Sequence, residues 1–490
     1  MTIIALTKNM PKMKRKFSRD GSALAFGLII MFCLSIILTS MLSYVSSQLK
    51  FSFNRVEREK AFQIAEAGIF YYRWYLAHVT SGKTVEQIED FWQNGSPIGV
   101  GTAYEDDYEE IGEYSLEVIP PTSGSTSIIV KSAGHTYKSL GVERTVQVRF
   151  RRPSWSEYIF LSNSFMNFGD ESEVYGKVHS NYGIRFDGLA HNTVSALPHS
   201  FNDPSHGGSD LDFGVHTHEV PADPEPPAYP WPSGTVPDRP DIFMGGREFP
   251  VPEVSFSGVT SDLANMKKKA KAGFGRYFDE TGEGRRIILK DNGYFDVCTV
   301  SEYSQTQHSI SKYLESDGSG TCESCAGACL STYPIVDNGV IFVEDDAWVE
   351  GTANNKRVSI VAADLLGGPV ANIYIGLDNT SVRYANYSCS NVIGLVAQNN
   401  VTVIKSCPSS MIVDAALLAQ GGRVGISKTM SSKTSLTFNG AIVSFLQPYF
   451  QSGVSGFAVR FYNYDNNLLY CPPPYFPTGT DYFIDLWEEL

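Results

Sequence analysis

The amino-acid sequence predicts an α+β chain: a long N-terminal transmembrane helix, a small antiparallel β head, and then a β-solenoid-like domain interrupted by a helical and loop insertion. Three observations carry that prediction. An apolar run from Ser22 to Val45 follows a basic segment, and no proline interrupts the chain from Ser22 to about His78. Three segments between 112 and 151 alternate apolar and polar residues as half-buried strands do. From about Tyr158 onward, short apolar runs are separated by Gly, Asn and Asp, and two of them echo each other 22 residues apart.

The N-terminal element is the most informative. Lys8, Lys12, Lys14, Arg15, Lys16 and Arg19 precede the apolar run, and the next charge after it is Lys50. A run of that length can cross a bilayer, and an export signal usually has a shorter apolar core. The positive-inside rule keeps the basic leader in the cytoplasm and sends the remainder outside, as a single-pass membrane protein. Beyond the membrane run helix formers dominate, and Phe62, Ala65, Ile69, Tyr72 and Leu76 step by three and four as one apolar stripe. At about 1.5 Å per residue, such a helix is a rod of roughly 85 Å, half in lipid and half outside it.

These residues carry a resemblance. A basic leader ending in Gly21, then SALAF opening an apolar helix, then AFQIAEAG some forty residues on, resembles the PilX-type minor pilins of type IV pili over about the first 80 residues. The resemblance implies cleavage by a prepilin peptidase between Gly21 and Ser22, methylation of the new N-terminus, insertion in the inner membrane before assembly, and other pilins as partners in an extracellular filament. Asp20 stands where a Lys or Arg usually precedes the glycine. Phe26, fifth after the cut, stands where major pilins carry a glutamate that pairs with a neighbour's terminal amine. A subunit without that carboxylate fits a tip or initiator position better than the shaft, because a carboxylate in lipid is costly unless paired.

The predicted organisation is a leader over 1–21, the transmembrane and pilin helix over 22–80, a β head over 95–155, and the solenoid-like domain over 156–490 with an insertion at about 199–290. YEDDYEE (Tyr104 to Glu110) reads as a solvated acidic loop; Asp106, Asp107, Glu109 and Glu110 lack the alternate spacing and turn glycine of a calcium loop. GEYSLEVI, STSIIVKSAG and ERTVQVRFRR read as the strands of the head. In the next region Leu395-Val-Ala-Gln398 and Leu417-Leu-Ala-Gln420 give the period of a solenoid coil, each coil covering the apolar side of the last. A β-sandwich is the alternative.

The insertion contains His199, His206, His216 and His218, which could gather a metal; in a proline-rich segment the reading adopted is solvated histidines, with no metal or cofactor assigned. A helix follows, SDLANMKKKAKAG, with Ser261 as its N-cap. Lys267, Lys268, Lys269 and Lys271, with Arg276, Arg285 and Arg286 close behind and aromatic residues between them, form the candidate DNA- or anion-binding group. The overall charge of −14 excludes a surface that is basic throughout.

Seven cysteines follow Cys33 of the membrane run, and in an exported chain they read as disulfides. Cys389 with Cys407 is the first expected pair; pairing among Cys322, Cys325 and Cys329 stays open, and an odd number leaves one over. The aromatic end with Pro472-Pro473-Pro474 is expected to cap the last coil. Glu344, Asp345 and Asp346 beside Trp348 are the compact acidic group of the strand region, and no nucleophile elbow, phosphate loop or HExxH motif appears. The sequence therefore reads as a noncatalytic pilus subunit for filament assembly and adhesion to a surface or glycan. A DNA-capture subunit, a secretion pseudopilin and a polysaccharide-acting β-helix enzyme are the alternatives.

Overall fold

The computed structural model describes residues 20–122, 125–204, 211–256, 259–479 and 481–490, without the side chains of 20–22 and 259–261. Helix α1 runs unbroken from Asp20 to Thr80, 61 residues. It is the element among the described residues long and apolar enough to cross a membrane. A turn leads to α2 (Val85–Asn94), which Thr84 and Gln87 open as a reciprocal capping box.

The second half of α1 lies on an antiparallel meander of β1 (Tyr104–Tyr108), β2 (Gly112–Ile119), β3 (Ser127–Thr136) and β4 (Ser139–Arg151). The predicted stripe is the contact: Ala65, Ile69, Tyr72 and Leu76 are buried and Phe62 packs beside them. They meet Leu116, Val118, Ile128, Val130, Val146, Val148 and Phe150, every second residue of β2 to β4. Each such side chain contributes about 1.5–3 kcal/mol on burial. The approach is close because two glycines permit it. A Cβ on Gly134 would lie 2.4 Å from the Ala65 nitrogen, and one on Gly68 would lie 2.3 Å from the Ser132 hydroxyl. YEDDYEE is therefore no loop: its first five residues are strand β1, paired with β2.

Beyond the head the chain builds a stack of parallel strands that alternates between sheets. In the first sheet the order is Arg247–Glu248, Val194–Ala196, Val178–Ser180, Phe160–Ser162, Ser432–Ser444, Ser410–Ala419, Val392–Ala397, Arg357–Ala362, Gly339–Val343 and Gly275–Phe278. Every neighbouring pair on that path is parallel. Between its later members the chain crosses to a second sheet at Ala347–Ala353, Ile373–Ile375, Val401–Val403 and Val424–Ile426, again parallel. Among the described residues neither sheet closes on itself.

The repeat seen in the sequence is this register: Leu395 faces Leu417 and Ala397 faces Ala419. The same position continues as a buried ladder through Ile341, Ile360, Leu395, Leu417, Ile442, Phe160, Val178 and Val194. Its path was not expected from the sequence. The chain enters mid-stack at Phe160, winds outward to Arg247, crosses to the opposite edge at Gly275, and winds back until Ser432–Ser444 pairs with Phe160–Ser162.

The outward side of the first sheet is also apolar, and α3 (Val259–Lys271) covers part of it with Leu263, Met266 and Ala270 against Phe342 and Val361. This helix begins at Val259, so Ser261 stands in its first turn and is not the N-cap. The chain end covers more of the same face instead of capping a coil. Arg357 donates to the Pro472 carbonyl at 2.6 Å and Ser359 to that of Pro474, while Gly394 leaves room for Pro473, which a Cβ there would meet at 2.7 Å. The final strand, Phe483–Glu489, then returns to the head as its fifth strand beside β4. Asp485 accepts from Arg149 at 2.9 Å and from Arg151 at 3.1 Å, and Trp92 donates to the Tyr482 hydroxyl at 2.8 Å. The stack is thus inserted between two neighbouring strands of the head sheet.

Candidate functional site

The first candidate is the free half of α1. From Ala23 to Phe53 every residue is exposed, including Leu24, Phe26, Leu28, Ile29, Phe32 and Ile36, and Cys33 is an exposed free thiol. Phe26 is 66% exposed and offers only a ring. Gly21 and Ser22 fall in the first turn, with side chains outside the described residues, as is the leader before Asp20. Where the helix reaches the head, Glu57 is buried. It accepts from Thr136 Oγ1 at 2.5 Å and pairs with Lys60 at 3.1 Å.

The second candidate, the basic group, is divided and largely neutralised: Lys267 to Lys271 lie on α3 and Arg276 on Gly275–Phe278 of the first sheet, whereas Arg285 and Arg286 lie on Arg285–Leu289 of the second. Lys267 pairs with the fully buried Glu344 at 2.7 Å, Lys268 with Glu86, and Lys269 with Glu89 at 2.9 Å. Glu86 and Glu89 belong to α2, so these lysines join the stack to the head. Arg285 pairs with Asp279 at 2.8 Å, and Arg286 with Glu350 at 2.5 Å and Asp378 at 2.8 Å. Lys271 and Arg276 are exposed and lie over the rings of Tyr277, at 4.0 Å, and Tyr333, at 3.7 Å. In the same seam Asp262 is buried, and desolvation pushes its carboxyl up to about 7, with Arg152 opposing and Glu89 adding to the rise.

Three disulfides form among the described residues: Cys298–Cys325, Cys322–Cys329 and Cys389–Cys471. The expected Cys389–Cys407 pair is not made. Cys407 lies inside the stack as a free thiol that burial pushes up to about 11, and Cys389 instead pins the proline-rich end through Cys471. Spacing alone could not reveal this, because the partner is 82 residues away and comes from the returning chain end.

Asp106, Asp107 and Asp346 are committed to neighbours. Asp106 accepts from Tyr104 at 3.0 Å and Tyr114 at 3.3 Å, and Asp107 accepts from Tyr137. Asp346 accepts from the Asn372 backbone at 2.7 Å and the Tyr374 hydroxyl at 3.2 Å, and Asp345 is pushed up to about 6 by burial. Trp348 is fully buried, donating to the His308 carbonyl at 2.7 Å, so it offers no face to a sugar.

Among the histidines, His199 stacks on Tyr229 at 4.3 Å, and His206 lies outside the described residues. His216 and His218 do come together, with their rings 5.0 Å apart, beside Asp203.

No family model matches the chain, and no curated protein does. Among solved structures it is similar to the competence-associated pilin ComZ from Thermus thermophilus, with 14% identity over 89% of this chain and 97% of that chain and a TM-score of 0.28.

Sequence reasoning missed the carboxylates that complete these sites. Glu86, Glu89 and Glu57 sit on helices among ordinary surface charges, and nothing in their spacing marks a partner 79 to 182 residues away. Asp203 is likewise a single acid in a loop-rich segment.

Proposed function

We propose that the chain is a type IV pilin-like subunit, anchored in the inner membrane by the first half of α1 and placed at or near the filament tip after assembly. In this reading a prepilin peptidase cuts between Gly21 and Ser22, and the strand stack, read as a β-solenoid, is the module that meets a surface or glycan. The observation that carries it is the division of one continuous helix: the first half wholly exposed and apolar, the second half docked on the head sheet. A bare apolar rod of that length is stable only in lipid or against other apolar helices. Phe26 removes the carboxylate by which shaft subunits of the resembling family pair, which supports the tip.

The stack leaves the head from β4 and returns beside it, so force on the stack passes to α1 through a hydrogen-bonded sheet and not through a flexible linker. That mechanical arrangement suits adhesion. Adhesion is preferred to DNA capture because five of the seven basic residues already face carboxylates, leaving Lys271 and Arg276. No catalytic role is proposed.

The test is a photo-crosslinking residue at Leu28 or Ile36, followed by analysis of sheared filaments from the expressing cells. Adducts with the N-terminal helices of other filament subunits are expected. Adducts with lipid alone, and absence from the sheared fraction, would leave a membrane-tethered surface protein and sink the pilin reading.

A further inference from the structure

We propose that Asp203, His216 and His218 form a closed transition-metal site, of the class that takes Zn²⁺, near the end of the stack where the proline-rich insertion begins. One ligand atom from each of the three lies within 4.8 Å of the others. Donors at about 2.0–2.2 Å from one tetrahedral ion stand about 3.3–3.6 Å apart, the separation Asp203 Oδ2 and His216 Nε2 already have, so ion binding needs only a modest inward shift of the set. His216 ends the short strand Val215–His216, which pairs parallel with Ile184–Phe186, and His218 is two residues on, so both rings share one side. Asp203 follows Ser200–Phe201, whose hairpin partner Asp212–Phe213 runs directly into the histidine strand. The hairpin therefore folds Asp203 onto His216, with Oδ2 3.3 Å from Nε2. Asp212 Oδ1 lies 4.0 Å from the same nitrogen and is in reach as a fourth donor.

The surroundings hold the two histidines in place. Asp187 accepts from the His218 backbone N–H at 2.8 Å and from the Thr217 hydroxyl at 3.3 Å. Asp223 accepts from the Thr217 backbone N–H at 3.1 Å and is itself paired with Arg247 at 2.5 Å. Two fixed carboxylates thus set the backbone from which both rings project, which is the supporting shell a metal site needs. Asp203 and His216 are at most 1% exposed. Two imidazoles with carboxylates select zinc or its first-row neighbours over calcium and magnesium. Burial and the protein-derived fourth donor make the site structural: it would lock the hairpin, and with it the insertion, to the stack.

The experiment uses the full chain in detergent, stripped with a chelator and titrated with Zn²⁺ and with Co²⁺. One ion per chain is expected, with the intense visible absorption of tetrahedral Co²⁺. His218→Gln, at a half-buried position, should weaken binding at least about 100-fold, and Asp187→Asn, which touches neither ring but holds segment 217–218 and pairs with Arg185 at 2.6 Å, about 10–100-fold. Asp212→Asn serves as a second ligand variant should His216→Gln fail to fold. No bound zinc, a six-coordinate Co²⁺ spectrum, or wild-type affinity in His218→Gln would overturn the proposal.

Discussion

The lysines of α3 separate a structural seam from a nucleic-acid patch by their unequal burial. Lys267 is 15% exposed and its partner Glu344 is 0% exposed, whereas Lys268 and Glu86 are 67% and 51% exposed. Removing the first cation leaves a buried carboxylate with the Leu365 backbone N–H at 2.8 Å and the Tyr277 hydroxyl as its neutral partners. Stranding a buried charge costs about 3–5 kcal/mol, and losing an exposed pair about 0–1 kcal/mol. Lys267→Gln should therefore lower the urea midpoint of the full chain in detergent substantially and speed hydrogen exchange over 339–365. Lys268→Gln should do neither. The double change Lys267→Met with Glu344→Gln should recover most of the loss, since it removes the stranded charge. Equal small effects below about 0.5 kcal/mol at both positions would show that Glu344 is not stranded when Lys267 is lost. Uniform loss of DNA binding in all four lysine variants without loss of stability would restore the nucleic-acid reading of the patch.

Three further outcomes follow from the packing. Asp262 binds its proton up to about pH 7 in the fold but only to its ordinary 3.8 when unfolded. Its contribution is thus fully present below pH 4 and falls by about 4 kcal/mol as pH rises through 7; Asp262→Asn should flatten that slope in pH-dependent melts. Gly134→Val should lower stability by about 1–3 kcal/mol or more, because its side chain meets the α1 backbone, while Gly141→Ala, with nothing within 4 Å of the added carbon, should be silent in the same thermal unfolding. Cys389→Ser with Cys471→Ser opens a loop of 82 residues and should cost about 4–5 kcal/mol by loop entropy, read as loosened exchange over 466–479.

Much of this fold was legible because its signals are local. The unbroken helix, its stripe at 65, 69, 72 and 76 and the three alternating head strands follow from periodicity within a few residues. The echo at Leu395 and Leu417 was legible for the same reason: parallel neighbours one turn apart carry like side chains in register. What stayed hidden depends on chain return. The stack enters in its middle, and strand 483–489 joins β4 more than 330 residues earlier in sequence. Cys471 and the proline run follow that return, which explains both the mistaken Cys407 pairing and the mistaken cap. The basic helix was visible as a charge run, but its role depends on Glu86, Glu89 and Glu344, which only tertiary packing brings to it. The histidines were visible too; Asp203, which makes them a cluster, was not.

Processing and assembly as a pilin, as proposed, can be read from the mature N-terminus of the chain in the surface fraction of expressing cells by mass spectrometry. A chain that begins at Ser22 and carries a methylated amine is expected. A chain that retains its leader, or begins elsewhere, would contradict that processing.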